Sequence, residues 1–246
     1  MAYGYNGKIL RVNLSSKEIS VEEPEENFYR RYMGGRGFIS YYLLKELKPK
    51  IDPLSSENKL IFATGVITAG RIGGSGRNSV GAKSPLTNGF GEAEAGGYWG
   101  AELKRAGYDA VILEGKSDKP VYLWISDKQV EIRDATHLWG KTTLDAENDI
   151  RAELGDRLIK TALIGPAGEK LVRFSCIMND VTRAYGRTGM GAVMGSKNLK
   201  GIAVRGSKPP AVADNEKIKE ITKWLSENYS KPFQDTGTVS RIPLSI

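Results

Sequence analysis

Apolar and polar positions alternate along residues 8–14 and again along 18–22, with Ser15-Ser16-Lys17 between them; this period of two predicts an opening β-hairpin. After Pro24 the period lengthens. Residues 25–33 read as a short helix stopped by Gly34-Gly35, and residues 38–47 as a second helix ending before Pro49. A strand is predicted at 60–64, feeding a glycine-rich loop that runs to Gly76, after which 78–83 is extended again. Residues 98–106 are helical in pattern and end at Gly107, with Lys104 and Arg105 in the last turn. Three short strands follow at 110–114, 121–126 and 129–134. A helix over 144–154 comes next, then strands at 160–164 and 173–178 on either side of the turn Gly165-Pro166-Ala167-Gly168. Residues 191–204 read as a helical turn leading into a strand. The pattern breaks at Ser207-Lys208-Pro209-Pro210. Residues 215–229 then form an amphipathic helix with Ile218, Ile221, Thr222, Leu225 and Tyr229 on one face, and 241–246 show no element. The predicted class is α+β, strand-rich with short helices. Its domain covers 1–208, followed over 209–246 by a linker and the first helix of a truncated second, helical domain.

Composition places the glycine in loops. Glycine supplies 29 of 246 residues, about 12% against a usual share of about 7%, and thirteen of them fall between Gly65 and Gly115. Because 40% of the chain is still apolar, a core can form around those loops. The single cysteine, Cys176, lies in the run Phe174-Ser175-Cys176-Ile177-Met178 and reads as a small buried hydrophobe; one cysteine makes neither a disulfide framework nor a thiolate cluster. The first residues have no apolar core of signal-peptide type, and no apolar run approaches the ~18 residues of a membrane span, so a cytoplasmic location is expected. The net charge of +7 admits a nucleic-acid partner. Its distribution argues otherwise, since basic residues are interleaved with acids such as Glu22, Glu23, Glu25 and Glu26 and form no dense run.

Chemistry concentrates in two stretches built around arginine, Gly73-Gly74-Ser75-Gly76-Arg77-Asn78 and Arg183-Ala184-Tyr185-Gly186-Arg187-Thr188-Gly189-Met190-Gly191. Glycine lets backbone amides approach a ligand without a Cβ in the way, and arginine brings a planar fork of donors matched to phosphate or carboxylate oxygens. Neither stretch has the spacing of a dinucleotide fingerprint or a phosphate loop. Two readings stay open on the residues alone: anion-binding loops, or turns whose arginines cap carbonyls and pair with surface acids. His137, beside Trp139, reads as structural or surface. Asp180 reads either as orienting Arg183 or as capping its loop.

Longer strings are more specific. Lys83-Ser84-Pro85-Leu86-Thr87, Gly96-Gly97-Tyr98-Trp99-Gly100-Ala101-Glu102-Leu103-Lys104, Ala106-Gly107-Tyr108-Asp109-Ala110, Ile164-Gly165-Pro166-Ala167-Gly168-Glu169, Ile177-Met178-Asn179-Asp180 and Gly191-Ala192-Val193-Met194-Gly195-Ser196-Lys197-Asn198-Leu199-Lys200 occur in this order. From about Tyr5 to Lys208 the chain resembles the N-terminal domain of the tungsten-containing aldehyde ferredoxin oxidoreductases. The resemblance implies two β-sheets with short helices, forming a base for a tungsten or molybdenum bis-molybdopterin cofactor whose metal is held by pterin sulfurs rather than protein ligands. It implies that Arg77 and Arg183 hydrogen-bond the pterins or their phosphates, and that Gly96 and Gly97 allow the close approach beside them. Gly186 and Arg187 extend the cofactor-binding set. The backbone carbonyls of Glu94 and Ala184 are the implied contacts of a phosphate-bridging magnesium. Glu94 stands where some relatives carry asparagine, and a carboxylate there needs the magnesium or Arg77 to offset its charge.

The implied reaction is two-electron oxidation of an aldehyde to a carboxylic acid with water as oxygen source, electrons leaving through a [4Fe-4S] cluster to ferredoxin. Family enzymes carry the cluster, the second half of the pterin site and the acid–base residues in sequence beyond this stretch. No catalytic residue is therefore assigned here, and the chain is expected to be inactive by itself. Expected partners are ferredoxin, the domains that would complete the site or a separate chain that does so, and a second copy in a homodimer; nucleic acid and membrane are not expected. The alternative is a non-catalytic binding or assembly module that keeps the fold without metal.

Overall fold

The computed structural model of the chain describes residues 3–228. Among these, twelve strands form two six-stranded sheets. The first contains β1 (Ile9–Asn13), β2 (Glu18–Glu22), β3 (Leu60–Thr64), β4 (Asn78–Lys83), β5 (Phe90–Ala95) and β6 (Ala110–Glu114), in the order β2-β1-β6-β3-β4-β5. The second contains β7 (Val121–Ser126), β8 (Val130–Asp134), β9 (Lys160–Leu163), β10 (Ile177–Asn179), β11 (Arg183–Tyr185) and β12 (Leu199–Arg205), in the order β11-β10-β9-β12-β7-β8. Only β1 with β6 and β7 with β12 run parallel.

The pleat explains why the central strands β3, β6 and β7 read as nearly continuous apolar runs. Successive side chains leave a strand on opposite faces, and here both faces are covered. Leu60 and Phe62 of β3, Val111 and Leu113 of β6, and Val121, Leu123 and Ile125 of β7 enter the core between the sheets. Their neighbours Ile61, Ala63, Ala110 and Ile112 face outward, under α1 (Glu26–Tyr32) and α2 (Arg36–Glu46), which add Tyr29, Phe38, Ile39, Tyr42 and Leu43. On the far side of the second sheet, Tyr122 and Trp124 pack with Ala146 and Ile150 of α4 (Thr143–Leu154). Two buried helices, α3 (Trp99–Arg105) and α6 (Met190–Ser196), bridge the sheets. They contribute Trp99, Leu103, Met190, Val193 and Met194 to the central core.

Several elements differ from the periodicity. Phe90–Ala95 is a full strand although its sequence is glycine, alanine and glutamate; it pairs with β4 along its whole length, from Asn78 opposite Ala95 to Lys83 opposite Phe90. The strand expected at 173–178 contracts to Ile177–Asn179, and the 165–168 turn closes into α5 (Pro166–Glu169), with proline in its first turn. Residues 183–185, read as loop, pair with β10. Beyond β12 no regular element intervenes before α7 (Asn215–Asn228), whose Thr222 hydroxyl donates to the Arg71 carbonyl at 2.7 Å. Tyr229 and residues 241–246 lie outside the described residues. No helix among the described residues is long and apolar enough to cross a membrane.

Long connections need donors for their buried carbonyls, and three fully buried lysines supply them. Lys104 donates to Gly65 and Val66, Lys197 to Asn58 and Gly115, and Lys200 to Lys141 and the Glu169 carboxylate. Burial pulls Lys104 down to about 8, against the pull of Asp109, and Lys197 down to about 7 from an ordinary 10.5. The unfolded chain therefore binds more protons than the folded chain between those values and 10.5, so stability should rise with pH through that window and be lost as pH falls towards 7. Thermal unfolding followed across this range should show that slope in the native sequence and a visibly flatter one in Lys197→Met. An unchanged slope would mean that Lys197 is not the group responsible.

Candidate functional site: an edge where the two sheets meet

The first glycine-rich loop joins β3 to β4 and is fastened by its own side chains. The Thr68 hydroxyl accepts from the Gly65 N–H and donates to the Arg77 carbonyl, both at 2.8 Å, and the Ser75 hydroxyl donates to the Gly70 carbonyl at 2.6 Å. Its last turn lies against the turn after β5. A Cβ at Gly76 would stand 2.5 Å from the Gly97 carbonyl oxygen, so only glycine lets the two backbones touch.

The second loop is the β10–β11 hairpin and its continuation. β11 lies against β5, an edge strand of each sheet meeting at one seam. A buried polar cluster fills it. Asn78, at the start of β4, donates to the carbonyls of Gly76 at 3.1 Å and Ala95 at 3.4 Å, and its Oδ1 accepts from the Tyr185 hydroxyl. Asn179 donates to the Gly96 carbonyl at 2.7 Å. Asp180 accepts the Tyr98 N–H at 2.6 Å. It thus serves as the cap of a loop, and burial raises its pKa against the pull of that N–H and of Lys160. Complete burial also pushes the Tyr185 phenol far up, keeping its proton on the oxygen that donates.

Outside this cluster the charged residues face solvent. Arg77 is 70% exposed and stands 4.0 Å from Glu94, itself 45% exposed. Arg36, at the start of α2, reaches Glu92 at 3.0 Å and Glu94 at 3.7 Å. Across the seam, Arg183 is half-buried, while Ala184, Gly186 and Arg187 are exposed. Their loop is tied to the first sheet through Thr188, whose hydroxyl donates to the Glu92 carbonyl at 3.2 Å and whose carbonyl accepts from Ser84 at 2.8 Å. All eight candidate residues thus gather along one edge. The face is open rather than enclosed. A cleft of about 580 Å³ between residues 69–71 and 209–219 contains none of them.

A sequence profile described as aldehyde ferredoxin oxidoreductase, N-terminal domain, matches residues 9–206. The chain belongs to that family. It is 53% identical over 221 residues to the tungsten-containing aldehyde ferredoxin oxidoreductase of Pyrococcus furiosus, covering 90% of this chain and 36% of that protein. A second protein of the same organism, the aliphatic sulfonate oxidoreductase WOR-like subunit, is 39% identical, with 96% of this chain and 40% of the relative covered. Among solved structures, the active-site complex BamBC of benzoyl coenzyme A reductase with 1,5-dienoyl-CoA superposes with a TM-score of 0.90 at 36% identity, covering 96% of this chain and 37% of that one. The family's N-terminal fold of two sheets with short helices is therefore the fold of this chain, and its relatives are oxidoreductases. The chain spans between 36% and 40% of the length of these curated relatives.

Sequence reasoning missed the roles of Arg36, Asn78, Asn179 and Tyr185. Arg36 had a signal, because Gly34-Gly35-Arg36-Gly37 repeats the glycine–arginine composition of the other two loops. Asn78 and Tyr185 lie inside the two glycine–arginine stretches and Asn179 inside one of the longer strings, but their roles had no signal, since the contacts that join the sheets connect residues 83 and 107 positions apart. His137 is half-exposed and 3.6 Å from Glu153, a surface pairing. Cys176 is only partly buried, 3.7 Å from the Met178 sulfur. Removing the hydroxyl in Tyr185→Phe leaves the buried Asn78 Oδ1 without its donor and should cost about 1–3 kcal/mol of stability, read by chemical denaturation. A loss below a few tenths would show that the seam does not depend on this contact.

Proposed function

We propose that this chain seats the phosphate-bearing part of a bis-pterin cofactor carrying tungsten or molybdenum. The observation that carries the reading is the gathering of two glycine–arginine loops, one from each sheet, on a single open edge. The residues there fit such a group. Arg77 and Arg187 are exposed, Arg183 is half-buried in β11 opposite Asn179, and a Cβ at Gly96 would meet nothing within 4 Å. The backbone at Gly96 therefore faces open space a ligand can approach.

On this reading Arg77 and Arg183 hold phosphate or pterin acceptors, while Arg187 adds positive charge and Gly97 and Gly186 keep the backbone accessible. Glu94 and Ala184 would offer backbone carbonyl oxygens to a magnesium ion accompanying the phosphates. The Glu94 side chain is compatible with that neighbourhood because Arg36 and Arg77 flank it. When bound, the cofactor would supply the redox chemistry, the two-electron oxidation of an aldehyde and water to a carboxylic acid and two protons, with a [4Fe-4S] cluster and ferredoxin as the electron acceptors of the complete enzyme. The chain orients the cofactor and neutralises its charge. The cluster, substrate pocket and acid–base groups belong to sequence beyond this chain, in the same or a partner polypeptide, so this chain alone is inactive. Aldehydes are the substrate class suggested by the 53% identical relative, while the names of two other relatives point to an aliphatic sulfonate and to benzoyl coenzyme A.

Tungsten, molybdenum and pterin content, measured by elemental analysis and by fluorescence after oxidation, tests the proposal on the chain alone and on the chain extended to the length of its relatives. Retention is expected in the longer form and should fall about ten- to a hundredfold in Arg183→Ala, the loss of one or two charge-assisted hydrogen bonds, with the melting temperature nearly unchanged. Absence of metal and pterin from both forms of the native sequence would favour a non-catalytic module instead.

A further inference from the structure

The tie between the two loops runs through Asn179, an amide that belongs to neither of the glycine-rich stretches. Asn179 ends β10 and is fully buried. Its Nδ2 donates to the Gly96 carbonyl at 2.7 Å and lies 3.5 Å from the Tyr185 hydroxyl, and its backbone pairs with Arg183 in the ladder. One residue thus touches the Gly96–Gly97 turn of the first sheet and the arginine strand of the second. Its Oδ1 is buried with no hydrogen-bond partner. That oxygen faces Gly97, where a Cβ would stand 3.0 Å from it and 3.1 Å from the Asp180 carboxylate; only glycine, at φ +95°, allows this approach. A buried acceptor without a donor costs stability, and such groups persist where a requirement other than stability keeps them.

We propose that Asn179 is the positioning residue that sets the spacing between the Gly96–Gly97 turn and the Arg183–Ala184 strand, and with it the spacing of the two halves of the phosphate cradle. The inference rests on the cofactor-seating reading for its consequence, though not for its geometry. Gly96 is half-exposed, so water replaces the lost amide in Asn179→Ala, and the unpartnered Oδ1 leaves with the side chain. Fold stability therefore changes little while the turn loses its register. A merely structural residue would lose both together.

The experiment compares the native 246-residue chain with Asn179→Ala and with Asn179→Asp, which keeps the volume but puts an acceptor where the donor was. Amide hydrogen exchange is read at Tyr98, whose N–H donates to Asp180, and binding of magnesium pyrophosphate by calorimetry. Both variants should exchange at Tyr98 about tenfold faster, and Asn179→Ala should bind the probe about tenfold more weakly, the scale typical of residues that orient ligand-holding groups. In Asn179→Ala the melting temperature and exchange in β9 should stay at native values, whereas the buried carboxylate of Asn179→Asp should lower the melting temperature. Native exchange at Tyr98 in either variant overturns the proposal, as does acceleration spread evenly through β9 with a matching drop in melting temperature in Asn179→Ala. Failure of the underlying reading looks different: the native chain does not bind the probe, or Arg183→Ala binds it unchanged, and the exchange comparison then decides the role of Asn179 by itself.

Discussion

The hydrogen bond from the Tyr185 hydroxyl to Asn78 is the contact on which the arrangement of this edge depends. Asn78 faces three demands at once: it holds the carbonyls of Gly76 and Ala95 with its nitrogen and receives Tyr185 with its oxygen. All three are met only when β4, β5 and β11 are in register. In a buried seam, a group that loses its partner is left as an unsatisfied polar atom. The Tyr185–Asn78 bond therefore holds the start of β4 against β11, and the two sheet edges with them.

Charge on the outer face is organised more loosely. Arg36, Arg77, Glu92 and Glu94 form a short chain of ion pairs, most of it in solvent. Exposed pairs at such distances are weak and screened by salt. That weakness suits a binding surface. On the proposed reading Arg77 would leave Glu94 for a ligand oxygen at little cost, and Arg36, paired with Glu92 at 3.0 Å and 3.7 Å from Glu94, would stay behind to compensate the carboxylate. Rigid backbone below and labile side chains above is the division that this edge shows.

The buried lysines supply donors to the connections between elements, and Lys104 does so for a glycine-rich loop. A loop of glycine, serine and threonine gives few side chains to a core and leaves carbonyls without ladder partners. An ammonium group offers three donors from one long stem, so Lys104 fastens the start of the first loop and Lys197 fastens two connections at once. Desolvation is the consequence, and it ties the stability of the loops to pH.

The amino-acid sequence by itself determined most strands of both sheets, the opening hairpin, α3 with its terminal Gly107, and membership of the family. Periodicity and glycine stops are local signals written by the pleat and the helical turn, and the long family strings are read directly. Local propensity could not determine β5, whose Gly91-Glu92-Ala93-Glu94-Ala95 reads as no element; pairing with β4 makes it a strand. The same holds for β11, a three-residue strand that exists because β10 is beside it. The candidate arginines could be named from composition and resemblance, but the amide and hydroxyl that join their loops could not. Tyr185 and Asn78 are 107 positions apart, and each looks ordinary in its own segment. Only the meeting of two sheet edges brings them within hydrogen-bonding reach, because a buried polar contact is a property of the space between elements and not of either element.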